Sequence, residues 1–240
     1  MKTSPMANRH FARSALTLFL SLAAVTAAQA QSAGDWILNV GMASINPSAS
    51  ISPMTSVGPA APAFTPALKG ASASIAKTTT QTLGLLYMFT NNIGMEATIG
   101  VPPKMTVDVQ LTSGAHPGAA SAKALYPSFV GKYFFQTPQD MLRPYLGLGL
   151  TTASFNSVGV NTSDALVNGL GGTSASLSSS VAPLYTLGAI YRLDDKWSIN
   201  GSVSYVPLKT NATFVGTGTT TTGTLTINPT EYVLRVGYKF

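Results

Sequence analysis

The chain has no cysteine, so disulfides and thiolate metal sites are excluded and stability must come from backbone pairing and packing. Charge is scarce. Asp, Glu, Lys and Arg make up 9% of the residues, against about 25% in soluble domains. Histidine occurs twice, and no His, Asp or Glu pattern has the spacing of a metal site. The Lys and Arg residues are scattered, which argues against a surface that tracks a nucleic-acid backbone. Beyond the first thirty residues there is no long apolar run, yet mean hydropathy is positive. Hydrophobicity spread thinly through the chain in this way is the composition of a membrane β-barrel, whose strands alternate apolar and polar residues.

The first thirty residues read as a secretory leader. Lys2, Arg9 and Arg13 form a basic start, 16–28 is a short apolar stretch, and Ala28-Gln29-Ala30 is a small-x-small cleavage site. The apolar stretch is shorter than the ~20 residues of a spanning helix. Cleavage after Ala30 predicts a mature domain 31–240, and loss of the three leading basic residues lowers the formal charge from +6 to +3.

Period-two alternation then predicts eight strands: 35–46, 81–90, 93–111, 122–136, 142–155, 181–193, 197–208 and 229–240. In the last, Tyr232, Leu234, Val236, Tyr238 and Phe240 share one face, and Glu231, Val233, Arg235, Gly237 and Lys239 the other. A strand of this kind closing on an aromatic residue resembles the last strand of bacterial outer-membrane barrels. Asn91-Asn92, 137–140 and 194–196 are tight turns. The connections 47–80, 156–180 and 210–227 are rich in Ser, Thr, Gly and Pro and read as loops, as does the shorter 113–121. Long and short connections alternate, which predicts an all-β, eight-stranded antiparallel up-and-down transmembrane barrel with long loops on one rim and three tight turns on the other. The domain is thus expected to carry four long extracellular and three short periplasmic connections.

Trp36, Tyr87, Phe89, Tyr133, Phe135, Tyr191, Trp197, Tyr238 and Phe240 fall near the tight-turn ends, where an interfacial aromatic girdle belongs. By alternation Glu96, Lys132, Arg143, Arg192, Glu231 and Arg235 point into the lumen. Such a charge network reads either as a structural plug, since small barrels fill their bores with side chains, or as a barrier that blocks ions and diverts an apolar solute. Ile37, Leu86, Met88, Val130, Phe134, Leu184 and Ile190 also face inward. They read as an apolar binding stretch or as plain core packing. Ile51, Met54, Val57, Phe64 and Leu68 could line an apolar funnel in the first long loop. Pro102 and Pro103 interrupt the third strand and cannot donate to the ladder. They predict a bulge or a lateral opening in the wall.

Several segments resemble the OmpW family of small outer-membrane barrels: Gly34-Asp35-Trp36, LGLLYMFTNNIGMEATIGVPPK (83–104), YPSFVGKYFF (126–135), RPYLGLGLTTASF (143–155), LGAIYRLDDKWSINGSVSYVPLKT (187–210) and NPTEYVLRVGYKF (228–240). Together they cover nearly all of 31–240 in the family's order, and the departures lie in the loops. The resemblance implies an eight-stranded barrel with a narrow lumen, located in the outer membrane. It also implies passive passage of small hydrophobic molecules, with lateral exit into the bilayer. Expected partners are outer-membrane lipid, a small hydrophobic solute and, through the strand ending at Phe240, the outer-membrane assembly machinery. No nucleic acid and no cofactor are expected.

Two rival readings stand beside the channel. A non-transporting structural or adhesion barrel would bind partners through its polar loops. A lipid A-modifying barrel enzyme would need a Ser or His centre, and His116 beside Ser113 has no carboxylate clearly placed in the sequence to orient it. The Gly-x-Gly pairs at Gly147/Gly149 and Gly216/Gly218 lack the strand-helix context of a phosphate loop.

Overall fold

A computed structural model of the chain describes residues 31–62, 68, 70–111, 114–164, 167–168 and 172–240. The expected leader lies outside the described residues. Eight strands close into a ring: β1 (Trp36–Asn46), β5 (Thr78–Met88), β6 (Ile93–Gly100), β9 (Ser128–Phe134), β10 (Leu142–Val160), β12 (Ser180–Arg192), β13 (Trp197–Tyr205) and β16 (Thr230–Lys239). Every neighbouring pair is antiparallel, and β16 completes the cylinder on β1 with Ile37↔Lys239 through Asn46↔Thr230. Closure satisfies the backbone donors and acceptors that an open edge would present to lipid.

Alternation places the chemistry as the strands dictate. On β10, Leu142, Leu146, Leu148 and Leu150 are exposed while Arg143 and Tyr145 are buried. On β9, Ser128, Val130, Lys132 and Phe134 are buried, and Phe129 and Tyr133 are exposed. The outer surface is therefore an apolar band, and the polar and charged side chains turn inward, where they escape the cost of facing hydrocarbon.

The nine aromatic residues stand on the outer surface at the tight-turn end, each exposed or half-exposed. They stack in pairs: Trp36 and Tyr87 centroids lie 4.7 Å apart, Tyr87 and Phe89 4.9 Å, Tyr133 and Phe135 5.3 Å, and Trp197 and Tyr238 4.9 Å.

The loops differ from the sequence reading. Segment 47–80 contains β2 (Ala49–Ile51), β3 (Thr55–Val57) and β4 (Ser72–Ile75) and opens β5 early. The expected third strand is two, β6 and β7 (Lys104–Leu111), and so is the fourth, β8 (Gly114–Leu125) and β9. β10 runs on to Val160, and β11 (Gly172–Leu177) follows it. The Thr/Gly tract 210–227 is a hairpin of β14 (Leu208–Gly216) and β15 (Thr219–Ile227). These pieces extend the wall as two sheets beyond the band. β4, β7 and β8 continue along the upper half of β10, while β11, β14, β15, β2 and β3 form the second sheet. The 19 residues of β10 span about 60 Å, well beyond the ~25 Å apolar band of such barrels.

The interior has two apolar layers. Near the tight turns, Ile37, Leu86, Met88, Phe134, Tyr145 and Ile190 form a buried cluster. Further up, Ile45, Met105, Val130, Leu184, Val206, Leu208, Leu225 and Ile227 belong to a second, larger one.

Candidate functional site

Between the two apolar layers sits a polar chamber of about 70 Å³, enough for a few water molecules. Its lining includes Thr80, Thr82, Glu96, Thr98, Lys132, Thr186, Ser204, Glu231 and Arg235. Strands β6, β9 and β16 bring three charges together. Glu96 accepts from Lys132 Nζ at 2.5 Å through Oε2, and from Arg235 Nη1 and Thr98 Oγ1 (3.0 Å) through Oε1. Arg235 Nε donates to Thr82 Oγ1 at 3.0 Å. Glu96 is 1% exposed, so this carboxylate is held by its partners and not by water. One buried anion between two buried cations is stable only while all three stay.

Gly84 makes room for that cluster. A Cβ there would lie 2.6 Å from Glu96 Oε1 and 2.8 Å from Arg235 Nη1.

Below the chamber the bore is filled. Tyr145 donates to Asn200 Oδ1 at 3.0 Å, its ring lies 4.4 Å from Lys132 Nζ, and it packs on Phe134 at 5.2 Å between centroids. Arg143 donates to the carbonyls of Gln31 (3.0 Å) and Asn91 and lies 5.2 Å from the Phe134 ring. The tight-turn end is thus capped by an apolar layer and an arginine tied to backbone.

The wall is interrupted beside the chamber. The β5/β6 ladder ends with Thr82↔Gly100 and a bond from Val101 N to Gln81 O. The next backbone bond on that flank joins Ala76 N to Thr106 O, and in between Thr80 Oγ1 caps Val101 O at 2.5 Å. On the other flank the β6/β9 ladder ends at Thr98↔Ser128, and pairing resumes with Ala124 N to Pro103 O and Lys104↔Lys123. Pro102 and Pro103 lie in this gap, and Gly100, Val101, Pro103 and Tyr126 line the chamber.

A second cavity, about 90 Å³, lies in the outer extension between its two sheets. Ile51, Met54, Leu68, Val107, Val158, Val167, Leu177, Phe214 and Leu225 are among its lining residues. At its margin His116 Nδ1 meets Asp164 Oδ1 at 3.1 Å, and Val167 N donates to the same carboxylate.

A model of the OmpW family matches residues 32–240. The chain belongs to the OmpW family. Among its relatives, outer membrane protein W of Vibrio cholerae is 29% identical over 91% of this chain and 95% of that protein. Outer membrane protein AlkL of Ectopseudomonas oleovorans is 28% identical over 61% of this chain and 60% of that protein. The crystal structure of the outer membrane protein OprG from Pseudomonas aeruginosa superposes with a TM-score of 0.76 at 25% identity, covering 89% of this chain and 99% of that one. The protein is an outer-membrane β-barrel.

Within this OmpW-family barrel the six candidate lumen charges separate. Glu96, Lys132 and Arg235 form one cluster, and Glu231 lines the same chamber. Arg143 belongs to the cap below. Arg192 stays at the tight-turn mouth of the bore, away from the Glu96 cluster: it is half-exposed, donates to Gln139 O at 2.7 Å and lines a small pocket with Gln31, Ile37 and Ser198. It is the last residue of β12 and pairs with the buried Ser198, so alternation keeps it on the inward side but at the rim. The apolar lumen set separates as well. Ile37, Leu86, Met88, Phe134 and Ile190 are cap, whereas Val130 and Leu184 border the chamber from above. Of the first-loop funnel residues, Ile51, Met54 and Leu68 line the outer cavity, Val57 is 60% exposed, and Phe64 lies outside the described residues. His116 does have a carboxylate partner, in a loop 48 residues away. Ser113 lies outside the described residues.

Sequence reasoning missed Tyr145, Asn200, Gly84 and the Thr80, Thr82 and Thr98 hydroxyls as parts of the site. The signal was present in Tyr145, an aromatic residue alternating with a leucine face. The threonines gave none, since Thr is common on any strand.

Proposed function

We propose that this barrel carries small hydrophobic molecules across the outer membrane and releases them sideways through its wall. The observation that carries the reading is a paired one. The bore is filled below the chamber by the Phe134/Tyr145/Arg143 cap, while the ladder beside the chamber is interrupted at Pro102 and Pro103. The outer apolar cavity would take the solute from outside, favoured by about 25 cal/mol per Å² of apolar surface removed from water. The Glu96/Lys132/Arg235 cluster would then oppose passage of ions and water. Leaving at Pro102 and Pro103, the solute would enter hydrocarbon without crossing the cap. No catalytic step and no cofactor are part of this reading.

The test is uptake of radiolabelled alkane-like and sugar-like solutes into liposomes that hold the purified barrel. Selective uptake of the apolar solute is expected. Salt-dependent conductance without apolar preference would identify a porin. Inactivity toward both solutes would leave the structural or adhesion reading, and altered lipid A would point to an enzyme.

A further inference from the structure

We propose that Lys77, Lys104 and Lys123 form a docking site for the phosphate groups of the anionic glycolipid in the outer leaflet. The three lie far apart in sequence and meet on one stretch of outer wall. Lys104 and Lys123 are direct partners across the β7/β8 ladder. Lys77 follows Ala76, whose N–H donates to Thr106 O at 3.3 Å, two residues from Lys104, so it flanks the same end of β7. All three side chains are exposed. Like charges directly opposite each other on a sheet repel, so this arrangement calls for an anion from outside. Among the described residues none of the three is ion-paired. Asp108, the acidic residue of β7, accepts the N–H of Gly118 at 2.6 Å within its own hairpin.

Position selects the partner. The outward apolar series Met95, Ile99 and Val101 on β6 and its continuation stops at Lys104, and Phe129 on β9 is the last exposed apolar side chain below Lys123. The lysines therefore stand at the upper edge of the hydrocarbon band, at headgroup height and above the Pro102/Pro103 interruption. Anionic lipid headgroups attract each such basic side chain by a few-fold in affinity, and phosphates at that depth would neutralise the pair.

The test titrates the purified full barrel in neutral detergent with diphosphoryl lipid A, with its dephosphorylated form and with inorganic phosphate, read by intact-complex mass spectrometry. Wild type is expected to favour the diphosphoryl lipid. The K77Q/K104Q/K123Q variant should bind it roughly 100-fold more weakly, about fivefold per lysine, while K209Q, on β14 across the barrel, changes it by less than about twofold. Equal binding of both lipids, or an unchanged triple variant, overturns the proposal. Saturable inorganic phosphate binding without lipid preference overturns the lipid as occupant. Heat-shifted gel mobility reports whether the triple variant folds. If it does not, K104Q/K123Q carries the test with an expected loss of about 25-fold.

Discussion

Glu96 is the residue on which the interior depends. Replacing it by glutamine leaves Lys132 and Arg235 buried without their shared anion, and breaking a buried pair in this way costs about 3–5 kcal/mol. Glu96→Gln should lower the thermal midpoint of the detergent-solubilised barrel well below wild type, and an unchanged midpoint would show the cluster to be energetically idle. Glycines supply a second test. A Cβ at Gly188 would lie 2.5 Å from the Tyr145 ring and 2.6 Å from Gly201 O, whereas at Gly201 nothing lies within 4 Å. Gly188→Ala should therefore destabilise by about 1–3 kcal/mol through overpacking, and Gly201→Ala should be near neutral, as comparative melting would show. In the last tight turn, the N–H groups of Lys196 and Trp197 donate to Asp194 and hold its carboxyl below the usual carboxylate range. A depressed folded-state pKa means that this contribution is present above the ordinary value of about 3.9 and is lost as pH falls through the folded value. Asp194→Ala should consequently lower the melting midpoint at neutral pH and lose its effect in strong acid.

Among the elements, the interrupted β6/β7 strand is the one on which the proposed lateral release turns. Pro102→Val with Pro103→Val would restore two ladder donors. We expect the double variant to fold and to take up less hydrophobic solute in the liposome assay; undiminished uptake would reject lateral release at this position. The eight barrel strands were legible because apolar and polar residues alternate strongly on them. Strands β2, β3, β4, β11, β14 and β15 and the 114–121 part of β8 were not, and the reason is chemical. Their buried positions hold Ala, Thr and Ser as often as Leu or Ile, for example Thr219 and Thr221 on β15, Ala212 on β14 and Ala119 on β8. Small and hydroxylated side chains give no contrast between faces, so a period of two leaves no mark in hydropathy. The break at Pro102/Pro103 could be seen as punctuation, whereas Pro127 lay unmarked inside the expected fourth strand. That each break hands the chain from the barrel to a separate outer sheet could not be seen.

At the scale of the whole molecule, the order along the axis matters: outer apolar cavity, apolar layer, charged chamber, apolar cap. On the proposed reading this stacking opposes ion flow straight down the bore, so wild type should conduct poorly in planar bilayers. Phe134→Ala removes a fully buried ring from the cap and should raise conductance measurably, at a stability cost of about 3–5 kcal/mol. Conductance indistinguishable from wild type would place the block elsewhere.

Alternation with a period of two, scarce charge and the succession of tight and long connections determined the closed barrel, its oily exterior and the inward direction of Glu96, Lys132 and Arg235, because each strand's geometry dictates which face a side chain takes. Tertiary structure alone decided which inward residues meet. Register between strands distant in sequence joins Glu96 to Arg235, separates Arg143 and Arg192 from them, gives His116 its carboxylate, and sets Lys104 against Lys123. Strand pairing of that kind is fixed by closure of the cylinder, a property no single segment possesses.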